Sequence, residues 1–386
     1  MKKKICVFTG GRQEYGILKP LLFELKKSNK INLQLVASGM HLSNEFGLTY
    51  KNILEDGFKI DDKIEIVLSS DTPISISKSM GLLMQSFSET LSRLKPDYLI
   101  LLGDRFETFA AASCALVARI PIIHIQGGEL TIGAIDEAFR HSITKMSSYH
   151  FVYAEEYRKR VIQLGENPRH ISNYGALNVD SIKKTKLLKR KDLYDQLFIN
   201  KKYKDLILVT FHPVTLQKDS SKKNFQNILN FLSHFKDNFI VFTKTNADTE
   251  GRIINHMIDK YVALNKNAAA YKSLGQIKYL SALKYSKFVI GNSSSGIIET
   301  PYFKKPTINI GIRESGRIKA SNVIDSGTSI NSLKKAYKIL TSEKFNKKLR
   351  KMKNPFDRGN TSLKIIKKIE KLSKSGSTVK KFYDLN

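Results

Sequence analysis

Residues 5–25 read ICVFTGGRQEYGILKPLLFEL, which is a short apolar run, a Gly-Gly turn and a helical pattern in that order. The run Ile5–Phe8 predicts a buried strand, and four leucines between positions 18 and 25 are spaced to form one apolar face of a helix. A strand that leads through a tight turn into an amphipathic helix is the first half of a βαβ unit. This stretch therefore predicts a parallel sheet covered by helices.

The same alternation continues along the chain. Further predicted strands are Leu33–Ser38, Tyr98–Leu102, Ile120–Ile125, His150–Tyr153, Leu206–Phe211, Phe239–Thr243, Phe288–Ile290 and Thr307–Ile310. Alternating strands and helices predict an α/β fold of two Rossmann-like, doubly wound domains in tandem. We expect a first domain over 1–177, a basic linker over 178–203, a second domain over 204–361, and a C-terminal helix and tail over 362–386.

Composition excludes several classes of protein. The chain has 386 residues, of which 41% are hydrophobic and 26% charged, so it is neither disordered nor fibrous. Its two cysteines, Cys6 and Cys114, lie far apart among apolar residues, which fits reduced thiols and a cytoplasmic protein. No apolar run approaches the roughly 18 to 20 residues of a membrane span. We expect no membrane partner.

The net charge of +30 is concentrated in residues 151–386, which carry +28 of it. Such a balance suits nucleic acid, an anionic surface or an anionic substrate. However, lysines outnumber arginines and are scattered over predicted helix faces, without a block that could contact bases. We expect no nucleic-acid partner, and a nucleic-acid-binding protein remains the alternative from another class, recognisable by a steep dependence of binding on salt.

Polar or small residues follow the predicted strands, at the edge where parallel sheets bind ligands. These segments are Thr9-Gly10-Gly11-Arg12, Ser38-Gly39-Met40-His41, Gly103-Asp104-Arg105, Gln126-Gly127-Gly128-Glu129, His212-Pro213, Lys244-Thr245-Asn246-Ala247-Asp248, Gly291–Gly296 and Gly311-Ile312-Arg313. If the two sheets face each other by these edges, the segments line one cleft, which predicts a small-molecule site.

One of these loops suits an oxyanion. Gly291–Gly296 contains Asn292, Ser293, Ser294 and Gly296 and precedes a helical pattern, so its amides and hydroxyls could bind a phosphate, or could simply cap the helix. Arg12, Arg105 and Arg313 lie in similar loops and could neutralise a diphosphate or form surface ion pairs. The loop lacks the lysine of a P-loop, and Gly10-Gly11 does not continue as GxGxxG, so no nicotinamide or flavin cofactor is expected.

Ionisable side chains in the same loops suit proton transfer. Asp104, Glu129 and Asp136 supply carboxylates and His212 an imidazole, which are the groups that general acid/base catalysis uses. Each alone is as compatible with a structural role. Asp136 with Arg140, and Glu137 with His141, have the spacing of i,i+4 helix pairs, so at least one of these carboxylates could simply be such a pair. No histidines or cysteines have the spacing of metal ligands, so no metal site is expected.

Taken together, the motifs resemble the UDP-N-acetylglucosamine 2-epimerase family, from about Lys4 to Lys371. They are Gly10–Gly16, Gly103-Asp104-Arg105, Gly127-Gly128-Glu129, Ile135–His141, His212-Pro213-Val214 and Gly291–Gly296. The Arg-x-Glu-Tyr-Gly opening resembles the hydrolysing branch of sialic and legionaminic acid synthesis. The resemblance implies a glycosyltransferase-B-like fold and an enzyme that removes the C2 proton as UDP leaves C1, then adds water to release N-acetylmannosamine or its analogue.

The resemblance also assigns roles by motif position. It implies acid/base roles for Asp104 and Asp136, a place for His212 near the departing diphosphate, and nucleotide contacts for Arg12, Ser293, Ser294, Glu299 and Arg313. Many relatives have Glu where this chain has Gln126, which cannot transfer a proton. Alternatives that stay open are a UDP-N,N'-diacetylbacillosamine 2-epimerase and a glycosyltransferase of the same fold. We expect a UDP-sugar substrate and a homo-oligomer, either a dimer or a tetramer.

Overall fold

A computed structural model describes residues 2–68, 70, 72–214, 220–245, 250–374 and 378–385. The chain forms two compact units, and neither is a single continuous stretch. Unit 1 comprises Met1–Glu129, Asp136–Lys184 and Phe356–Asn386, and unit 2 comprises Leu130–Ile135 and Thr185–Pro355.

Unit 1 is built on a parallel sheet in the order β3-β2-β1-β4-β5-β6-β7. Its strands are β1 (Lys3–Thr9), β2 (Ile31–Ser38), β3 (Asp62–Ile64), β4 (Tyr98–Leu102), β5 (Ile122–Ile125), β6 (Tyr149–Val152) and β7 (Ile171–Asn173). Every residue of β4 is buried, since helices cover both faces of a parallel sheet.

Unit 2 has a second parallel sheet in the order β10-β9-β8-β11-β12-β13. Its strands are β8 (Asp205–Thr210), β9 (Asn238–Thr243), β10 (Ala268–Tyr271), β11 (Ser286–Gly291), β12 (Thr307–Ile310) and β13 (Val323–Ser326). Both orders are those of doubly wound Rossmann-like sheets, so the predicted fold class is confirmed.

Helices connect the strands and pack on both sheets. They are α1 (Arg12–Lys27), α2 (Tyr50–Glu55), α3 (Pro73–Leu94), α4 (Phe106–Val117), α5 (Asp136–Met146), α6 (Glu155–Gln163), α7 (Leu177–Lys184), α8 (Arg190–Gln196), α9 (Ser220–Leu232), α10 (Gly251–Leu264), α11 (Gly275–Tyr285), α12 (Ser295–Ile298), α13 (Ile330–Thr341), α14 (Glu343–Lys351) and α15 (Thr361–Lys371). The four leucines of α1 that the opening stretch singled out are fully buried in the core of unit 1. Short 3₁₀ turns lie at Gly39–Leu42 and Pro168–His170.

The borders of the units differ from the expected ones: Leu130–Ile135 falls in unit 2, and unit 1 resumes at Phe356. The expected linker 178–203 is largely helical, because apolar residues such as Ile182 of α7 and Leu193 of α8 are buried; the chain passes from unit 1 to unit 2 after Lys184. The C-terminal helix α15 belongs to unit 1. Its Ile365, Ile366 and Ile369 pack in the same core as α1.

Two further expectations concern cysteines and membranes. Cys6 and Cys114 are both buried and unpaired, as predicted. Among the residues that the structure describes, no helix combines the length and the apolar character that crossing a bilayer requires.

Candidate active site at the sheet edges

The strand order of each sheet reverses at its centre, between β1 and β4 in unit 1 and between β8 and β11 in unit 2. Ligands of doubly wound sheets bind beyond the carboxyl ends of the strands at this reversal. In unit 1 the loops there are Thr9–Arg12 and Gly103–Arg105. In unit 2 they begin at Phe211 and Asn292. The predicted site residues in these four loops therefore lie where each fold favours a ligand. Glu129 and Asp136 lie further along the chain, after β5, and Arg313 follows β12.

Arg140 of α5 links the acid/base candidates of unit 1. Its guanidinium is only 1% exposed and forms an ion pair with Asp104, which follows β4. The same guanidinium donates through one nitrogen to the carbonyl of Glu129 and to the carboxylate of Glu137, both at 3.0 Å. One buried cation thus holds Asp104, the end of the Gly-Gly-Glu loop and the start of α5 together.

Asp136 is the first residue of α5, where the helix dipole favours a negative charge. Glu137 accepts a bond from His141 Nε2 at 3.0 Å, which confirms the predicted helix pair. Of the adjacent carboxylates Asp136 and Glu137, Glu137 therefore pairs with Arg140 and His141 of the same helix.

Arg105 and Arg12 have different surroundings. Arg105 Nε donates to the fully buried carboxylate of Glu107 at 3.1 Å, so the charge of this arginine is already balanced within the protein. No described residue forms a hydrogen bond or an ion pair with the guanidinium of Arg12, and burial lowers its pKa to about 10. Of the two, Arg12 is the cation better suited to an incoming anion.

Two buried side chains that the sequence did not mark as site residues support the loops of unit 1. His124 Nε2 donates to the carbonyl of Gly103 at 2.8 Å, and Thr144 Oγ1 lies 3.1 Å from its Nδ1. Burial lowers the pKa of His124 to about 3, so the ring stays neutral and fixes the turn before Asp104. A Cβ at Gly127 would lie 2.8 Å from Thr144 Oγ1, so only glycine fits beside this pair.

Gln126 is held by the protein itself. Its Nε2 donates to Oδ1 of Asn178 at 2.8 Å in a buried contact. Its φ of 66° lies in the left-handed region, which costs free energy for a residue other than glycine. Gln126 therefore ties the Gly127-Gly128-Glu129 loop to α7.

In unit 2, Asn292 joins the two central loops. Its Oδ1 accepts from the backbone N–H of His212 at 2.7 Å, and its Nδ2 donates to the carbonyl of His212 at 2.8 Å. Both polar atoms of the Asn292 side chain are thus used on the backbone of His212. Asn292 was predicted as a nucleotide-binding residue, and the contacts give it the role of holding His212 in place.

The predicted phosphate loop leads into a single turn of helix, α12, which has a correspondingly small dipole. Ser293 Oγ accepts from the N–H of Ser295 at 3.4 Å, and a Cβ at Gly296 would lie 3.1 Å from Thr307 Cγ2. Glu299 accepts a short bond from Ser295 Oγ, which in turn accepts from Tyr279 at 2.6 Å. Tyr279 lies on α11, where nothing in the sequence pattern marked it.

Arg313 lies beside the same loop and shares a carboxylate with Arg317. Its NH1 donates to the carbonyl of Asn292 at 3.2 Å and to Glu314 Oε1 at 2.6 Å. Arg317 Nε lies 2.7 Å from the other oxygen of Glu314, whose side chain is fully buried. Sequence reasoning missed Glu314 and Arg317, although Arg-Glu-x-x-Arg is an i,i+3 ion-pair spacing.

Two other predictions concern the segment after β9 and metal binding. The strand-end residues Asn246, Ala247 and Asp248 lie outside the part of the chain that the structure describes. Within the described part, no group of three or more His, Cys, Asp or Glu side chains is arranged to hold a metal ion.

Comparison with known proteins identifies the family. The sequence profile of UDP-N-acetylglucosamine 2-epimerases matches residues 23–370. The GDP/UDP-N,N'-diacetylbacillosamine 2-epimerase (hydrolyzing) of Campylobacter jejuni is 46% identical over 345 residues, 89% of each chain. Polysialic acid biosynthesis protein P7 of Escherichia coli is 37% identical over 99% of this chain and 98% of its own. The UDP-N,N'-diacetylbacillosamine 2-epimerase (hydrolyzing) of Legionella pneumophila is 34% identical over 94% of both chains.

Solved structures support the fold independently. A crystal structure of UDP-GlcNAc 2-epimerase from Neisseria meningitidis bound to UDP-GlcNAc matches with a TM-score of 0.81, covering 96% of this chain and all of the other. At 19% identity this likeness concerns the fold. With a profile that spans most of the sequence and relatives well above 30% identity, the chain belongs to the UDP-N-acetylglucosamine 2-epimerase family.

Proposed function

We propose that the chain is a hydrolysing 2-epimerase that acts on a UDP-linked 2-acetamido sugar. The observation that carries the proposal is the Arg140 cluster, which gathers Asp104, the Glu129 loop and the first turn of α5 at the carboxyl edge of one sheet. Two separate carboxylates, Asp104 and Asp136, are the groups that removal of a proton from one face of C2 and its return to the other face would need.

The proposed reaction has two steps. In the first, one carboxylate takes the proton from C2, the C1–O bond breaks, UDP leaves with the bonding electrons, and a C1=C2 double bond forms. In the second, the oxygen of water adds to C1 and the proton that it releases passes to a carboxylate, while a proton is delivered to C2 on the opposite face. The product is the free sugar with inverted C2. Either carboxylate could act first.

Cationic and polar groups of unit 2 would assist departure of UDP. We assign Arg313, His212, Ser293, Ser294, Gly296 and Glu299 to the nucleotide. We also assign Arg12 to the nucleotide, because no described residue forms a hydrogen bond or an ion pair with its guanidinium and burial lowers its pKa. Stabilising the charge that develops on the leaving diphosphate is typically worth several kcal/mol in such sites. Arg105 is assigned a supporting role, since the buried carboxylate of Glu107 balances its charge. Asn292 has a supporting role as well, since both polar atoms of its side chain bind His212. Arg313 differs, because it shares the one carboxylate of Glu314 with Arg317 and these three groups keep a net positive charge.

The sugar is proposed from the relatives. Two of them, at 46% and 34% identity, carry names with N,N'-diacetylbacillosamine, and the first of these names includes GDP as well as UDP. We therefore place UDP-N,N'-diacetylbacillosamine first among substrates and UDP-N-acetylglucosamine second. We also propose that the enzyme works in the cytoplasm as a homo-oligomer and without an added metal or nicotinamide.

The test is a direct incubation. The purified protein is incubated in deuterated water with UDP-N,N'-diacetylbacillosamine, with UDP-N-acetylglucosamine or with GDP-N,N'-diacetylbacillosamine. We expect equal amounts of nucleoside diphosphate and free C2-inverted sugar, with deuterium at C2. Transfer of the sugar to an added acceptor would favour the glycosyltransferase alternative. A product whose C2 hydrogen comes entirely from the substrate would refute the proposed mechanism.

A further inference from the structure

The segment between Glu129 and the proposed catalytic carboxylate Asp136 belongs to a different unit from these two residues. Glu129 and Asp136 are residues of unit 1, whereas Leu130–Ile135, which joins them, is part of unit 2. We call Leu130–Ile135 the strap. It contains no charged residue and forms no helix or strand, so its position depends on what holds it.

Arg317 forms two hydrogen bonds with the strap. Its NH2 donates to Oγ1 of Thr131 at 3.1 Å, and its Nε donates to the carbonyl of Leu130 at 3.2 Å. Thr131 is fully buried and Arg317 is 9% exposed, so these bonds form away from solvent. A buried charge that donates to a loop carbonyl and a loop hydroxyl restricts both, and losing one such bond is costly.

Close packing at two glycines limits the strap further. A Cβ at Gly316 would lie 2.7 Å from Cβ of Leu130, so the backbone beside Arg317 approaches the strap as only glycine allows. At the turn of the strap, Gly133 has φ 77°, and a Cβ there would lie 2.9 Å from Val214 Cγ1. Val214 follows His212-Pro213, so the strap packs against the loop that carries His212.

Arg317 is also connected to the proposed nucleotide contact. The buried carboxylate of Glu314 pairs with Arg317 on one oxygen, at 2.7 Å, and with Arg313 on the other, at 2.6 Å. Glu314, which orients Arg313, thus also holds Arg317, and Arg317 in turn holds the strap. Glu129 and Asp136 are the covalent neighbours of the strap at its two ends.

We propose that Arg317 is a positioning residue for the acid/base carboxylates, acting through the strap, and that Glu314 couples it to Arg313. This rests on the proposed function. A group that holds catalytic side chains without touching substrate affects turnover more than ligand affinity, and small misplacements of catalytic groups can cost about a hundredfold. Arg317 should therefore influence kcat while leaving the affinity for UDP nearly intact.

The experiment compares Arg317→Gln and Thr131→Val with Arg350→Gln, an exposed arginine of the same unit. We expect Arg317→Gln to lower kcat by about 10- to 100-fold, and Thr131→Val, which removes only the hydroxyl, by about 3- to 10-fold. The Kd of UDP should stay within about threefold in both. Amide hydrogen exchange in peptides covering 130–135 should accelerate in Arg317→Gln and not in Arg350→Gln.

The outcomes separate this proposal from the proposed function. If wild-type protein releases no nucleoside diphosphate from any of the sugars, the proposed function fails, and the exchange comparison still tests whether Arg317 holds the strap. If UDP affinity falls as much as kcat, Arg317 belongs to the nucleotide site and the proposal is overturned. Unchanged kcat and unchanged exchange would overturn it as well. If Arg317→Gln does not fold, Thr131→Val decides.

Discussion

Arg140 and Asp104 form an ion pair between α5 and the loop after β4, with the guanidinium buried and the carboxylate 22% exposed. The helix that provides Arg140 begins with Asp136. The helix that carries one proposed catalytic carboxylate, Asp136, therefore also fixes the position of the other, Asp104. We expect neutralising either carboxylate to have a similar effect on turnover.

Asp104→Asn and Asp136→Asn should each lower turnover by about two to four orders of magnitude, because acid/base groups act mainly in the transition state. UDP affinity should stay within a few-fold. Steady-state kinetics and titration with UDP measure the two effects. Glu155→Gln is the matched control, since this carboxylate is 49% exposed and pairs only with Arg158 in its own helix. Near-normal turnover of either Asn variant would show that its carboxylate has no catalytic role.

Gln126→Ala should cost less than about tenfold in turnover, since an amide can orient a group and cannot transfer a proton. The structure adds that the amide is bound to Asn178, so Asn178→Ala should have a similar, modest effect. Turnover of both variants is compared with that of Asp136→Asn. A loss in Gln126→Ala as large as that in Asp136→Asn would mean that this position is central to the chemistry.

Arg313→Ala should weaken UDP binding by about 1.5 to 3 kcal/mol, the range for losing a hydrogen bond to a charged group. Glu314 would keep Arg317 as its partner, so the variant is expected to fold. Calorimetric titration of UDP gives the affinity, with Arg350→Ala as the control. Unchanged affinity would place the diphosphate away from Arg313.

The sequence predicted the centre of each sheet and missed its edges. All nine predicted strands are present. In the part of the chain that the structure describes, four further strands, β3, β7, β10 and β13, were not predicted, and they are the outermost strands of the two sheets. These strands have three or four residues each, and their burial patterns include half-exposed or exposed positions. A strand with only one neighbour needs fewer apolar residues, so the continuous apolar run that marks a central parallel strand is absent.

The site, too, could be predicted only in part. Strand ends are visible in sequence, so the loops that carry Asp104, His212 and Arg313 could be predicted. Which side chains those loops bind could not, because the partners come from distant elements. Arg140 with Asp104, Gln126 with Asn178, and Asn292 with the backbone of His212 are all contacts of this kind. Spacing along the chain predicts only pairs within one helix, such as Glu137 with His141.

Arg12→Met should stabilise the free protein and remove much of its response to UDP. The largely buried guanidinium has no described partner, so replacing it with an apolar chain of similar length removes a desolvation cost. Thermal unfolding is followed with and without UDP, since a ligand that binds the folded state raises Tm. Arg105→Met is the contrasting variant, because it leaves Glu107 without this partner and should lower Tm. An undiminished UDP response in Arg12→Met would exclude Arg12 from the nucleotide site.

Glu14 should make stability depend on pH near neutrality. Burial, with a further contribution from the carboxylate of Glu107, raises the pKa of Glu14 to about 7, while its Oε2 accepts from the N–H of Gly10 at 2.7 Å. The folded protein therefore keeps this proton over a pH range in which the unfolded chain has released it. The resulting stability is present in full below the unfolded pKa of 4.5 and is lost as pH rises through about 7.

Glu14→Gln keeps the acceptor for Gly10 and does not titrate. Relative to wild type, its free energy of unfolding should improve by about 2 to 3 kcal/mol between pH 4.5 and pH 8, since one pKa unit corresponds to about 1.4 kcal/mol. Chemical denaturation at a series of pH values measures the difference. Glu55→Gln, at an exposed position of α2, should show no such trend. A difference between Glu14→Gln and wild type that is constant across the series would mean that Glu14 is ionised in the folded protein throughout this range, and that the Gly10 amide and Arg105 outweigh its burial.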